Sequence, residues 1–386
     1  MHPIYWNTEA SESAPTTNVS YNCVDRYMSD PEFKHETALL WYEHPDTSLG
    51  DIVSNAFRDG NFWDNDIHDY ADLSWDVVDV LTNKIANVFK EYCVSEDRIL
   101  LLLHNVIQLP LCIMGASRIG AVSVILNPAT ATTSQLTELL EKTCPKLIVT
   151  VDAFWQGHEL LETKRQVDEA LNKAKVSSIK RILVIRHTAP NKGVPPPDEI
   201  YPGKRPCYKI SFELNEDIDV EWRKEIVKAY TSCDPVWVAG SHPFAILPEW
   251  SPELHLRAVS TRQALMAAQE LGSLTISDCL VLPHPQTPLG LIGCVAVWFC
   301  GKTLSTFEGT LNHPDPSRLK HVIKKFDLKS MILPKCELDA DYMAIVSVPT
   351  LSRIITTVGN KNAIVGMFPN VEILEWNVED FLQHNN

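Results

Sequence analysis

Histidine and cysteine are the side chains that most often carry chemistry, and in this sequence neither forms a recognisable group. The chain contains thirteen histidines and ten cysteines in 386 residues. It has no Cys-x-x-Cys pair and no His-Glu-x-x-His pair, the spacings at which sequence neighbours bind zinc together. From spacing alone we predict no metal site.

The cysteines lie mostly in apolar runs, as Cys112, Cys294 and Cys300 do. Cysteine in such a run usually behaves as a small hydrophobic residue. We therefore expect buried, reduced thiols, which are typical of an intracellular protein.

Three further side chains have both a chemical and a structural interpretation. His284 could act as a general base, but no carboxylate lies near it in sequence, which favours a hydrogen-bonded loop histidine. Trp237 and Trp250 could stack on a ligand ring, although packing in the protein is the commoner role of tryptophan.

The elements that must position any site alternate between strands and helices. Apolar residues recur at helical spacing over 74–92, and a short buried run follows at 98–104. Residues 132–135 (TTSQ) fit a capping box that begins a helix. Such alternation predicts an α/β fold with largely parallel sheets flanked by helices. The predicted elements are helices at 74–92, 108–119, 132–142, 158–174, 252–271, 289–300, 314–326 and 340–358, and strands at 98–104, 122–126, 146–151, 181–187, 279–283, 303–307, 330–334 and 371–376.

The length suits two α/β subdomains. We expect a flexible arm over 1–20, a first subdomain over 21–235 and a second over 236–386. Residues 188–206 contain three consecutive prolines and predict a stiff surface loop.

The formal net charge is −15, which disfavours nucleic acid and anionic membranes as partners. The most apolar stretch, 99–126, is interrupted by polar and charged residues and fits a protein core better than a bilayer. The first eighteen residues contain no apolar run of the kind found in secretory signals. We therefore expect a cytoplasmic protein.

Several segments in collinear order resemble the acetyl-CoA synthetases, a branch of the adenylate-forming enzymes. Residues 18–26 (NVSYNCVDR) resemble the opening motif of that family, and 116–122 (ASRIGAV) resemble a helix-to-strand turn. Shorter matches follow at 146–150, 167–171, 301–309 and 314–318. The resemblance implies the N-terminal domain of the adenylate-forming fold, and the family's C-terminal domain with its catalytic lysine has no counterpart in this sequence.

The family joins acetate to ATP and then transfers the acetyl group to coenzyme A. Its members hold the ATP phosphates with a Ser/Thr/Gly-rich loop that ends in Lys-Gly, because backbone amides and a cation stabilise the phosphate charge. By this resemblance the loop should follow residues 234–238, where the chain instead reads AGSHPFAILPEW over 239–250. Only Gly240 and Ser241 could be remnants, Leu247 and Trp250 offer no phosphate donors, and Glu249 lies near the position of the lysine.

Two further family sites are also altered. Where the family has its acetate and magnesium segment, residues 283–290 read PHPQTPLG, with three prolines. Where it has two arginines for coenzyme A, Gln156 and Glu159 stand here, and neither replaces a forked guanidinium. Fifteen glycines, about 4 % of the chain, also fall below the average of about 7 %.

We therefore predict a pseudoenzyme with an acetyl-CoA-synthetase-like fold and a binding or regulatory role. We assign no catalytic, cofactor-binding or metal-binding residues and expect no cofactor, although the family uses ATP, magnesium and coenzyme A. The alternative is an AMP-forming acetate–CoA ligase completed by a partner chain. A small-molecule binder with a changed ligand and a decaying gene copy stay open. The expected partners are an active acyl-CoA synthetase or a second copy of the chain.

Overall fold

The computed structural model describes residues 3–8, 15–43, 69–157, 159–187, 212–275, 277–309, 317–335, 348–366, 368 and 370–384. The loop predicted at 188–206 lies outside these residues, as do residues 340–347 of the helix predicted at 340–358. The described strands are β1 (Thr16–Thr17), β2 (Thr37–Glu43), β3 (Asp69–Ser74), β4 (Arg98–Leu102), β5 (Val122–Leu126), β6 (Leu147–Val151), β7 (Phe154–Gln156), β8 (Glu159–Leu161), β9 (Arg181–Ile185), β10 (Asp219–Glu221), β11 (Val238–Ala239), β12 (Pro243–Trp250), β13 (Leu254–Ser260), β14 (Cys279–Val281), β15 (Leu304–Phe307), β16 (Ser330–Leu333), β17 (Arg353–Thr356) and β18 (Glu372–Glu375). The described α-helices are α1 (Val19–Cys23), α2 (Trp75–Lys90), α3 (Gln108–Arg118), α4 (Thr133–Thr143), α5 (Thr163–Lys173), α6 (Trp222–Lys228), α7 (Thr261–Leu274), α8 (Pro288–Phe299), α9 (Ser317–Lys325), α10 (Lys361–Ile364) and α11 (Val378–His384).

Two seven-stranded sheets dominate the architecture. The first has the order β10-β9-β6-β4-β5-β12-β13, and the second has the order β18-β17-β16-β14-β15-β2-β3. Each is parallel except for one antiparallel edge strand, β13 in the first sheet and β3 in the second. The predicted α/β fold with mostly parallel sheets flanked by helices is confirmed.

The expected division between residues 235 and 236 does not coincide with the sheets. Strands β12 and β13 follow that point but belong to the first sheet, whereas β2 and β3 precede it and belong to the second. Part of the expected arm also has a partner, because Thr16–Thr17 pairs antiparallel with Val238–Ala239. Strands of the second sheet therefore both precede and follow those of the first sheet along the chain.

Helices α3 and α8 are buried along their whole length. A helix that is apolar on every side must be covered on every side, and α8 (PLGLIGCVAVWF) has that composition. Both helices belong to one continuous core that also includes residues of both sheets, such as Leu101 and Ile332. Smaller apolar clusters cover the outer faces of the two sheets.

Three predicted helices differ from the structure. Residues 158–174 begin instead with the β7–β8 hairpin, where Gly157 adopts a φ of +61°, and α5 starts only at Thr163. Residues 252–271 contain β13, and α7 begins after Ser260, whose side chain forms a capping box with Gln263. Within 340–358, the buried segment Arg353–Thr356 is a strand between two parallel neighbours. In each case pairing with a neighbouring strand prevails over the apolar spacing of a helix.

The segments that carry the family resemblance contact one another. Asn18 donates from Nδ2 to the carbonyls of Ser117 (2.8 Å) and Val236 (2.9 Å). Arg118 forms a two-pronged ion pair with Asp25, with both N–O distances 2.6 Å. These motifs therefore fix where α1 and α3 lie.

Eight cysteines fall within the described residues, and all eight are free thiols. Six of them are buried, whereas Cys144 is exposed and Cys300 is partly exposed. Burial raises the pKa of Cys93 and Cys294 to about 12, so these thiols stay protonated and unreactive. The expectation of buried, reduced thiols is confirmed for most of the described cysteines.

Candidate functional site

The carboxyl ends of parallel strands from both sheets meet at one place, the usual position of ligand sites in α/β folds. His104, Asp152 and His187 follow β4, β6 and β9 of the first sheet. Glu308 follows β15 of the second sheet directly. All four side chains belong to buried residues.

Three of these side chains meet at a single point. The Nε2 atom of His104 lies 3.1 Å from Nε2 of His187, and each Nε2 lies 2.7 Å from Oε1 of Glu308. The three side chains are only 4–5 % exposed. We call His104, His187 and Glu308 the His-His-Glu cluster.

The surrounding residues hold this cluster in place. The carboxylate of Asp152 accepts hydrogen bonds from the backbone amides of Ala153 (2.7 Å) and His187 (2.9 Å), which fixes the backbone that carries one imidazole. The ring of Phe154 stacks on His104 with centroids 4.1 Å apart and planes within 6°. The imidazoles are therefore oriented before any ligand arrives.

Burial and charge set the ionisation of the cluster. Burial lowers the pKa of His104 and outweighs the opposing attraction of Glu308. Burial alone would raise the pKa of Glu308, but the two neighbouring imidazoles outweigh it and hold that pKa well below its usual range. Glu308 is thus a carboxylate, and His104 keeps a lone pair available.

Two polar atoms of the cluster have no hydrogen-bond partner among the described residues, Nδ1 of His104 and Oε2 of Glu308. A buried, unpaired polar atom costs about 1–3 kcal/mol, so proteins seldom retain one without a reason.

No local sequence pattern indicates this cluster. Its members lie 83 and 121 residues apart along the chain, so no local spacing links them. The available signal is positional, because each of the three residues follows a buried strand by one or two positions.

His284 has the structural role that the sequence favoured. Its Nε2 atom donates to the carbonyl of Leu103 (2.8 Å), and its Nδ1 atom accepts from the amide of Gln286 (3.0 Å). Burial lowers its pKa to about 3, so the ring is neutral. It is a hydrogen-bonded loop histidine, as predicted.

The same 283–290 segment ties the two sheets together. Gln286 accepts from the amide of Asn127 (2.7 Å), just after β5, and donates to the carbonyl of Pro248 (3.3 Å) on β12. The side chain of Gln286 therefore lies at the carboxyl end of β5, where a ligand would be expected in an α/β fold.

The segment at the expected position of the phosphate loop is regular structure. Residues 240–242 make a short turn after β11, and Pro243–Trp250 is strand β12. A second turn, Ser-Pro-Glu at 251–253, connects β12 to β13. The two turns contain one glycine and no lysine between them.

The contacts of Gly240 and Glu249 also differ from those of a phosphate site. A Cβ atom on Gly240 would meet Nε of Arg262 at 3.1 Å, so its surroundings are already filled by protein. Glu249 forms an ion pair with Arg257 at 3.2 Å. This carboxylate therefore has a structural cation of its own.

The remaining candidates have protein partners or form local structure. Gln156 and Glu159 face each other across the β7–β8 hairpin. Trp237 packs against Tyr21, with centroids 5.0 Å apart, and Trp250 donates from Nε1 to Glu138 (3.2 Å). Both tryptophans have the packing role that the sequence favoured.

Comparison with known proteins agrees with this fold. The family model "AMP-binding enzyme" matches residues 55–232. Acetyl-coenzyme A synthetase from Leptospira biflexa is 31 % identical over 173 residues, which cover 44 % of this chain and 23 % of that protein. The enzyme of the same name from Methylobacillus flagellatus is 23 % identical over 322 residues, which cover 80 % of this chain and 42 % of its own length.

Two other similarities extend the comparison. An uncharacterised protein of Caenorhabditis elegans is 34 % identical over 118 residues, which cover 28 % of this chain and 79 % of that protein. A crystal structure of an acyl-CoA synthetase from Brucella canis matches with a TM-score of 0.65 and 16 % identity, and the match covers 94 % of this chain and 58 % of that one.

Two seven-stranded, mostly parallel sheets packed through buried helices define the class of fold, that of the acyl-CoA synthetases. By sequence the chain is similar to the AMP-binding, adenylate-forming enzymes and, among them, to the acetyl-CoA synthetases. It spans between about a quarter and two fifths of the length of the synthetases named above.

Proposed function

We propose that this protein is a pseudoenzyme, which retains the adenylate-forming scaffold without adenylating activity and serves in binding or regulation. The main support is the expected phosphate-loop region, because neither turn around β12 has a lysine and only one has a glycine. Phosphate binding needs converging amides and cations. Glu249 lies near the expected position of the family's lysine, and its carboxylate forms an ion pair with Arg257.

The contacts between the strand ends also support this proposal. His284 bonds to Leu103, and Gln286 bonds to Asn127 and Pro248. A nucleotide at this edge would have to displace these hydrogen bonds. The site would then lose buried polar contacts before it gained any from the ligand.

The alternative is an AMP-forming acetate–CoA ligase that needs a partner chain. Its support is the similarity to acetyl-coenzyme A synthetases from two bacteria. The partner would have to supply the phosphate contacts that the two turns lack.

We expect isothermal titration calorimetry to detect no binding of magnesium-ATP at nucleotide concentrations up to about 1 mM. A dissociation constant of about 1 mM corresponds to a binding free energy of about −4 kcal/mol. An active acetyl-CoA synthetase measured in parallel serves as the positive control. Tight, magnesium-dependent binding by the folded protein would refute the proposal. Acetate-dependent pyrophosphate–ATP exchange by the protein alone would establish the ligase instead.

As partners we propose an active acyl-CoA synthetase or a second copy of this chain, and as location the cytoplasm, in keeping with the buried free thiols. No described helix is long and apolar enough to cross a membrane. Cross-linking of the endogenous protein followed by mass spectrometry identifies the partner. Light scattering of the purified chain separates a homo-oligomer from a monomer.

A further inference from the structure

The His-His-Glu cluster has a geometry that hydrogen bonds alone do not satisfy. Each Nε2 atom carries either one proton or one lone pair, which points in one direction in the ring plane. Yet Nε2 of His104 lies within hydrogen-bond distance of both His187 and Glu308, at 3.1 and 2.7 Å, and Nε2 of His187 makes the matching pair of contacts. Three polar atoms that converge on one point are the usual arrangement of ligands around a cation.

We propose that His104, His187 and Glu308 bind a divalent transition-metal ion, and that zinc is the ion that this ligand set fits best. Two imidazole nitrogens and a carboxylate oxygen are ordinary zinc ligands. This inference does not depend on whether the protein lacks adenylating activity.

The ligand spacing requires only a small adjustment. Zinc bonds of about 2.0–2.1 Å in tetrahedral geometry place the ligand atoms about 3.3 Å apart. The separations in the cluster are 2.7, 2.7 and 3.1 Å. The three side chains would therefore move apart by a few tenths of an ångström.

An unpaired buried atom provides a second, independent observation. Oε2 of Glu308 is buried and has no hydrogen-bond partner within the described part of the chain. When Oε1 binds an ion, Oε2 lies beside the same ion and can become a second ligand. A metal ion would therefore provide a partner for this oxygen, which is destabilising while it is buried and unpaired.

The charges around the cluster also balance with a divalent ion. Asp152 is buried, and its carboxylate accepts a hydrogen bond from the backbone amide of His187 (2.9 Å), which places it next to the cluster. With Glu308 this makes two acidic groups beside two imidazoles. An ion of charge +2 would neutralise both carboxylates, so the buried charges would be paired.

The cluster joins the two sheets of the fold. Two ligands follow strands of the first sheet and the third follows a strand of the second. A bound ion would therefore link the two sheets, and with every ligand 4–5 % exposed we assign it a structural role.

The direct test is the metal content and thermal stability of the full chain. We expect about one zinc ion per chain by inductively coupled plasma mass spectrometry after purification without added metal or affinity-tag histidines. Removal of the ion with a chelator should lower the melting temperature, and stoichiometric zinc should restore it. A cooperatively melting protein that contains no metal, and whose melting temperature zinc does not change, would overturn the proposal.

Cobalt substitution shows whether these residues are the ligands. Co²⁺ added to the metal-free protein should produce the strong visible d–d absorption of a four-coordinate site. His187→Ala and Glu308→Gln should each remove that band and weaken zinc binding more than about 100-fold, beyond the 10–100-fold effect of an outer-shell change. The matched control is His255→Ala, an exposed histidine on β13, which should keep the band.

A band that persists in both ligand variants would place the ion elsewhere and refute the assignment. If either variant fails to fold, Co²⁺ and zinc titrations of the wild-type chain still decide the question, because they need no substitution.

Discussion

At the residue scale, the motifs that mark the family in this chain have structural roles. Asn18 connects α1 to the end of α3 and to the segment before β11 through two carbonyls. Asp25 neutralises Arg118, whose side chain is only 5 % exposed. These contacts give the motif a role in positioning helices that does not depend on any chemistry.

We predict that Asp25→Asn lowers the free energy of unfolding by about 3–5 kcal/mol, because it leaves a buried guanidinium without its counter-charge. Asn keeps the shape of the side chain, so the effect reports on charge. Urea denaturation followed by circular dichroism measures it. Asp72→Asn, at an exposed position on β3, is the control and should change stability by less than about 0.5 kcal/mol. Equal effects of the two substitutions would show that the buried pair is not important.

At the element scale, the turn before α8 depends on the absence of a side chain at Gly290. A Cβ atom there would lie 2.2 Å from the carbonyl oxygen of His284 and 2.5 Å from that of Pro283. Both contacts are with backbone, which cannot move aside as a flexible side chain can. This close approach places His284 and Gln286 at the ends of β4 and β5.

We expect Gly290→Ala to destabilise the protein by about 1–3 kcal/mol or more, since the added methyl group forces the backbone apart. Gly366→Ala is the matched control, because nothing lies within 4 Å of a Cβ atom there. That substitution should be neutral or slightly stabilising. Thermal melting of the two variants gives the comparison, and a Gly290 variant as stable as wild type would contradict the packing described here.

The sequence predicts elements well where the local pattern and the tertiary contacts agree. The capping box at Thr132 and Gln135 begins α4 as expected, and 122–126 is a strand with the predicted bounds. The sequence predicts elements poorly where pairing with a distant or neighbouring strand determines the structure. Strand β13 lies in a segment predicted as a helix, and its partner β12 lies in the segment compared with the family's phosphate loop. The His-His-Glu cluster was missed for the same reason, because only the topology of two sheets brings its residues together.

At the scale of the whole molecule, the two sheets share one core. The largest apolar cluster includes Leu101 and Val149 of the first sheet and Val281 and Ile355 of the second. The C-terminal helix α11 adds a further link, because Gln263 donates to the carbonyl of Leu382 (2.8 Å). Two halves that share a core in this way should not unfold independently.

We therefore predict a single cooperative unfolding transition, which native cysteines can report without any substitution. Cys112 lies in α3 next to the first sheet and Cys279 lies in β14 of the second, and both are fully buried. Thiol labelling at increasing urea, read peptide by peptide by mass spectrometry, should give both residues the same midpoint. The exposed Cys144 should react in native buffer and so controls for reagent quality. Two separated midpoints would show that each sheet forms an independent unit, because a shared core cannot expose one thiol while it still protects the other.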